Sequence, residues 1–382
     1  MIYFDNAATT ALSESVRAAM MDVMEHTYGN PSSLHGIGIA AERVIKNADK
    51  TLRALLGVTQ GELVWTSGGT EANNLAVLGA ARANAGRGKR VITSAVEHPS
   101  VADAFTQLAA EGFDVVVLPV DENGQVSADE LADAADAHTT LVSIMHVNNE
   151  TGAVQDIERL VRAAKGKNSD LLFHCDAVQS FGKHPLQPSR WGVDLMSVSA
   201  HKIHGPKGAG ALYAHFPARL KPLLYGGGQQ KGVRPGTENV IGIAGLAQAA
   251  RDASAGMDAA YMNVSAVRAR LLQIRTLAEN VRINSPASGS PYIINLGFAG
   301  VRAEVLLHAL ESEGFAVSAG SACSSKAKYS RVLVNHGLSV QRAEEAIRIS
   351  LCAGNTEAEA DAFLAAAVKQ VGFLRKYGGV RR

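Results

Sequence analysis

From about residue 63 onward the chain alternates short, nearly continuous apolar runs with longer stretches whose apolar residues recur every three or four positions. The runs at 63–66, 91–93, 115–118, 141–146 and 171–174 read as strands buried on both faces, and the stretches between them carry helical spacing. That alternation predicts a wound α/β sheet. Two further runs, 195–199 and 210–214, extend it, and their closeness in sequence predicts a strand of mixed direction. Upstream, the apolar stripe Ile45, Ala48, Leu52, Leu55 and Leu56 stops at Gly57, a residue suited to the positive φ of a helix end. We expect a large α/β domain over 12–255 with a mixed, mostly parallel seven-stranded sheet. Residues 1–11 and 256–382 are expected to form a smaller α+β domain. Its expected parts are a connecting helix at 258–277, elements at 292–296, 304–311 and 348–351, and a closing amphipathic helix from 357 to about 374.

The length of 382 residues agrees with two units, since one core of the ordinary size of about 100–150 residues does not absorb it. With 37 Lys and Arg against 36 Asp and Glu, the balance gives no broad electrostatic footprint, so neither nucleic acid nor a membrane surface is an expected partner. The N-terminal residues carry an acid at once and lack a basic and apolar leader, and no apolar run reaches the roughly 20 residues that span a bilayer, so the cytoplasm is expected. Cys175, Cys323 and Cys352 stand far apart without CxxC spacing, which argues against a disulfide framework and a zinc knuckle and leaves no metal expected.

Three clusters carry candidate chemistry. Between a strand and a helix lies Thr66-Ser67-Gly68-Gly69-Thr70-Glu71-Ala72-Asn73-Asn74, where glycines, helix N–H groups and the Thr70 hydroxyl suit a phosphate; a plain capped turn is the alternative. Asp176 ends a buried strand, where open α/β sheets bind ligands. A carboxylate there needs a cation, and a pyridinium nitrogen is one candidate, with Gln179 donating to a neighbouring ring oxygen; capping the next helix is the alternative. Lys202 follows an apolar strand within Ser199-Ala200-His201-Lys202-Ile203-His204-Gly205-Pro206, a setting that suits an amine forming a Schiff base.

The order of these clusters, together with Glu97-His98, His146-Val147-Asn148-Asn149-Glu150-Thr151-Gly152, Arg234-Pro235-Gly236-Thr237 and Gly320-Ser321-Ala322-Cys323, closely resembles the NifS/IscS-like cysteine desulfurases. These belong to the class V aminotransferase group of pyridoxal-phosphate enzymes, of transferase fold type I. The resemblance runs from Asp5-Asn6-Ala7-Ala8 to Arg348. It implies that Lys202 binds pyridoxal 5′-phosphate and acts as the base at the substrate Cα, while Asp176 keeps the pyridine nitrogen protonated. It implies further that His98 stacks on the ring and shuttles protons, and that Asn149 and Gln179 hold the phenolic oxygen side. The phosphate falls to Gly69, Thr70, Ser199 and His201, and to Thr237 of a second subunit, so a homodimer is implied. Arg348, with Asn149, would bind the substrate carboxylate, and an internal salt bridge is the other reading of this buried charge.

Cys323 is implied to take the sulfur of L-cysteine as a persulfide, leaving L-alanine, for delivery to a sulfur-acceptor protein such as an iron–sulfur scaffold. No resident metal is implied, and Cys323 at most touches a transient iron–sulfur cluster. The loop carrying it is expected at about 318–331; its segment 326–332 departs from the family's Leu-Glu-Pro-Ser-like pattern and is one residue shorter. Cys175 and Cys352 are expected in the core. Rival readings are a selenocysteine lyase or cysteine sulfinate desulfinase, a plain class V aminotransferase, and a scaffold subunit without the cofactor.

Overall fold

A computed structural model describes residues 1–319 and 329–377 of the chain. Seven strands make the main sheet: β1 (Glu62–Thr66), β2 (Arg90–Ser94), β3 (Asp114–Leu118), β4 (Thr139–Ser143), β5 (Leu172–Asp176), β6 (Leu195–Ser199) and β7 (Gly210–Ala214). Their spatial order is β1-β7-β6-β5-β4-β2-β3. Only β7 is reversed; it pairs antiparallel with β1 and β6, and the other pairings are parallel.

Most of the continuous apolar runs follow from burial on both faces; the run at 115–118, expected to be buried likewise, forms the edge strand β3, whose Val115 and Val116 are half-buried and Val117 exposed. Val91, Leu141, Leu172, Leu195 and Leu212 pack on one side with Leu75, Val101, Phe105 and Leu108 from helices. Their neighbours Ile92, Val142, Phe173, Met196 and Ala211 point the other way, to a core holding Leu52, Leu160, Ile243 and Leu246.

A second sheet of four antiparallel strands comprises β8 (Val281–Ile283), β9 (Ile293–Phe298), β10 (Ser318–Ala319) and β11 (Ala346–Ser350), in the order β10-β11-β9-β8. Its core holds Phe298, Leu306, Ile347, Ile349 and Phe363, and Phe4 from the start of the chain enters it, edge-on to Phe363 at 5.8 Å between ring centroids. From Phe4 the chain crosses toward the main sheet: Asn6 N–H donates to Ser350 O at 3.2 Å and Thr10 N–H to His201 O at 2.9 Å.

Two sequence expectations change. The run at 141–146 ends as a strand at Ser143, although Ile144 and His146 still bond backbone groups of β5 before the chain turns at Asn148. The Asn148 side-chain oxygen accepts from the N–H groups of Glu150 and Thr151, both at 2.9 Å, which makes that turn. The connecting helix expected at 258–277 is instead a helix over Met257–Leu271 followed by a short one over Ile274–Leu277. Gly256 separates it from the preceding helix Val240–Ala255. Among the described residues, no helix is long and apolar enough to cross a membrane.

Candidate active site

Six of the seven main strands point the same way, and the turns leaving β1, β2, β4, β5 and β6 at their carboxyl ends converge on a cavity of about 460 Å³. Gly69, Thr70, His98, Asn149, Asp176, Gln179, Ser199, His201, Lys202 and Arg348 all line it. Thr237 is exposed and is not among the lining residues. Cys323 lies outside the described residues.

After β1 the backbone passes through Gly68 at φ +151°, a conformation L side chains rarely adopt, and a Cβ on Gly69 would stand 2.7 Å from Val178 Cγ2. The helix starting at Gly69 therefore comes close to the β5 turn. Glu71, on its first turn, ties the cradle in place. Its carboxylate accepts from Ser67 N–H at 2.6 Å and from Arg234 Nε at 2.8 Å, and these bonds hold it below the usual carboxylate range against the opposing effect of burial. Ser199 ends β6, and its buried hydroxyl has no partner among the described residues.

Asp176, the last residue of β5, is only 4 % exposed. Oδ1 accepts from Val178 N–H at 2.9 Å and Oδ2 from Asn73 Nδ2 at 2.7 Å. Among the described residues it makes no ion pair within 4.0 Å, so a buried carboxylate faces the cavity with neutral donors alone. Asn73 also donates to Ser100 Oγ at 2.9 Å, and that hydroxyl lies 2.8 Å from His98 Nδ1. His98 caps the helix Pro99–Ala110; its Nδ1 accepts from Ser100 N–H at 3.1 Å, so the neutral ring carries its proton on Nε2. Burial holds this imidazole below its ordinary range, against the pull of the Asp176 carboxylate.

Lys202 sits on the single 3₁₀ turn that follows β6, and its Nζ donates to the carbonyls of Ala7 at 2.6 Å and Ala8 at 2.7 Å. Beside it His201 Nδ1 lies 3.2 Å from Thr9 Oγ1; burial, reinforced by Lys202, Lys207 and Lys183, pushes its pKa down to about 4. Gln179 Nε2 donates to Ala7 O at 3.0 Å, and its buried oxygen, like that of Asn149, has no partner among the described residues. Arg348, 4 % exposed on β11, donates through Nη2 to Asp5 at 2.8 Å and through Nη1 to Asn149 O at 2.9 Å, and its buried Nε has no partner among the described residues. The internal salt bridge and a place on the cavity wall thus occur together.

Three residues have a place here that sequence reading gave no role. Asn73 holds Asp176, and its one signal was its place four residues after Gly69, one helical turn on. Glu97, wholly buried, accepts from Ser94 Oγ at 2.5 Å and Met145 N–H at 3.0 Å; burial raises its pKa to about 8. Lys183, buried, faces a separate cavity of about 180 Å³ whose wall also includes Lys202, Tyr292 and Cys352. Cys175 is in the core as expected, whereas Cys352 is only partly buried, on that second cavity.

The donor set suits an aromatic phosphate. Asp176, without a cation among the described residues, fits a ring N–H; the glycine cradle with the Ser199 hydroxyl fits phosphate oxygens; and the side-chain oxygens of Asn149 and Gln179, which like that hydroxyl have no partner among the described residues, fit a polar ring substituent.

A family model described as Aminotransferase class-V matches residues 2–363. A NifS/IcsS protein homolog of Lactobacillus delbrueckii subsp. bulgaricus is 42 % identical over 376 residues, covering 96 % of each chain. A protein of Dictyoglomus turgidum named as a cysteine desulfurase is 40 % identical, covering 92 % of this chain and 89 % of its own. Among solved structures, a NifS-like protein superposes with a TM-score of 0.92 at 37 % identity, covering 98 % of this chain and all (100 %) of that one. A structure described as SspA in complex with cysteine gives a TM-score of 0.82 at 33 % identity, covering 92 % of this chain and 99 % of its own.

Proposed function

The chain belongs to the class-V aminotransferase family, among its NifS/IscS-like cysteine desulfurases, and from that premise we propose that it binds pyridoxal 5′-phosphate and moves sulfur from L-cysteine to Cys323, releasing L-alanine. The observation that carries the reading is the convergence on one cavity of Lys202, an Asp176 with no cationic partner among the described residues, and five buried polar atoms, on Asn73, Asn149, Gln179, Ser199 and Arg348, that have no hydrogen-bond partner among those residues. The chemistry the cofactor supplies when bound is an electron sink for the pair left at the substrate Cα.

The protein's own groups do the rest. Asp176, kept in place by Asn73, holds a proton on the ring nitrogen. Gly69, Thr70, Ser199 and His201 take the phosphate; His201, neutral because its pKa is about 4, serves as a hydrogen-bond partner and not as a fixed charge. Asn149 and Gln179 hold the phenolic oxygen side, and Lys202 moves the proton at Cα. His98, with its proton on Nε2, passes protons on the cavity side. Arg348 orients the substrate carboxylate with the part of its fork that Asp5 and Asn149 leave over.

Cys323 acts as a thiolate on the substrate sulfur: an S–S bond forms as Cβ–S breaks, the bonding pair stays with Cβ, and protonation completes alanine. The persulfide then passes to an acceptor protein, with iron–sulfur cluster assembly as the destination. Thr237, exposed in its own chain, serves the phosphate of a second copy, and the exposed apolar side chains Tyr28, Leu34 and Tyr225 support such a partner.

Mass spectrometry after incubation with L-cysteine tests the reading. A sulfur adduct on the Cys323 peptide, with one alanine per adduct, is expected, and its absence sinks the transfer step. Faster sulfite release from cysteine sulfinate would assign the protein to the rival desulfinase activity.

A further inference from the structure

The two described ends of the segment that carries Cys323 are joined through the wall of the active-site cavity. On the upstream side, Ser318 pairs with Arg348 across the antiparallel strands β10 and β11. Arg348 Nη1 reaches Asn149 O at 2.9 Å, and the residue after Asn149 is Glu150, itself only 8 % exposed. On the downstream side, the Ser330 hydroxyl donates to Glu150 Oε2 at 2.5 Å while accepting from Leu333 N–H at 3.1 Å, so it caps the helix Arg331–Asn335 as well. Arg331 Nη2 adds a bond to the carbonyl of Glu97, next to His98, at 3.2 Å. A buried acid in a loop, with a serine 180 positions away as its side-chain partner, is costly unless the link matters.

We infer that Glu150 is a positioning residue for sulfur transfer: through Ser330 it fixes the chain downstream of Cys323 against the same residues, Asn149 and Arg348, that hold the substrate. The thiol's approach and the substrate's pose are thereby set by one connected group of side chains. Burial lifts the Glu150 carboxyl above its usual range, while the Ser330 hydrogen bond and the charges of Arg348 and Arg331 pull against it. Loss of the link leaves the cavity itself untouched and enlarges the space the thiol must search.

This inference rests on the proposed role of Cys323. It is tested on the cofactor-loaded protein by two readouts: the single-turnover rate of sulfur transfer to Cys323, and the L-cysteine titration of the cofactor's visible spectrum. Glu150→Ala and Ser330→Ala are each expected to slow transfer about tenfold, the scale of one hydrogen bond to a charged group, with the titration midpoint moved less than about twofold. Glu150→Gln, which keeps an acceptor oxygen, is expected to restore most of the rate. The Glu150→Ala/Ser330→Ala double variant should be no slower than either single one. Ser330→Ala also removes the cap on Leu333, and Glu150→Ala does not, so agreement between them separates the link from the cap. Transfer at the wild-type rate, an equal loss in rate and titration, or no recovery in Glu150→Gln overturns the inference. If the unsubstituted protein places no sulfur on Cys323, the functional reading beneath it falls as well.

Discussion

Asn73 shows how much a neutral side chain can decide. Its amide supplies one of two hydrogen bonds to Asp176 and couples that carboxylate through Ser100 to His98. Asn73→Ala is therefore predicted to lower kcat about tenfold or more at saturating cofactor with little change in KM, which steady-state kinetics with L-cysteine will show. Two other buried groups set the response to acid. Burial pushes His146 and His174 from 6.5 to about 3, so both are neutral in the fold and ready to protonate once unfolded. Folded pKa values below unfolded ones mean stability present above pH 6.5 and lost as pH falls toward 3, at up to ~1.4 kcal/mol per pH unit for each ring. Glu97, raised from 4.5 to about 8, works in the opposite sense between those values, so the loss steepens below pH 4.5. Melting temperatures measured across that range should fall toward acid, and His174→Gln should flatten the fall. The chemistry-bearing residues were legible because each stood in a recognisable string. Asn73 reaches Ser100 and Asp176, 27 and 103 positions away, and Glu97 accepts from Met145 N–H, 48 positions away; spacing along the chain does not encode such partners.

At the scale of elements, the apolar runs located each strand of the main sheet; both faces are covered except on the edge strand β3, where Val115 and Val116 are half-buried and Val117 is exposed. The runs did not mark strand ends. The 141–146 run outlasts its strand because Ile144 and Met145 stay buried after regular pairing with β5 has ceased. The turn that follows carries Asn149 to the cavity, with the buried Glu150 next to it, and then reverses at Gly152, φ +76°, where a Cβ would meet the Ile293 carbonyl at 2.9 Å. Gly152 O also accepts from Ser290 N–H at 2.8 Å, so this one turn joins the main sheet's loops to β9. Gly152→Ala combines left-handed strain with a clash against backbone, and a loss of about 1–3 kcal/mol in denaturant unfolding is expected. Asp5↔Ser350 pairing and the burial of Phe4 were likewise invisible along the sequence, since they join residues from opposite ends of the chain.

For the whole molecule, the proposed exchange of Thr237 between copies predicts complementation. Thr237→Ala alone should weaken cofactor binding, and Lys202→Ala alone should be inactive. Their mixture, after subunit exchange, should regain activity, because one mixed site combines Lys202 of one copy with Thr237 of the other; no recovery would reject a shared site. Family resemblance, not hydrophobic pattern, is the source of that expectation. One further consequence lies in the crossing segment at residues 5–10. Asp5 holds Arg348, the Ala7 carbonyl holds Lys202 and Gln179, and Asn6 Nδ2 bonds Ser350 O, 344 positions away. A ribosome makes the first of these residues hundreds of peptide bonds before the last, so a nascent chain exposes Lys202 long before Arg348 exists. Assembly of a competent centre thus waits until synthesis has passed β11, and a chain that stops short of Arg348 lacks one wall of the site.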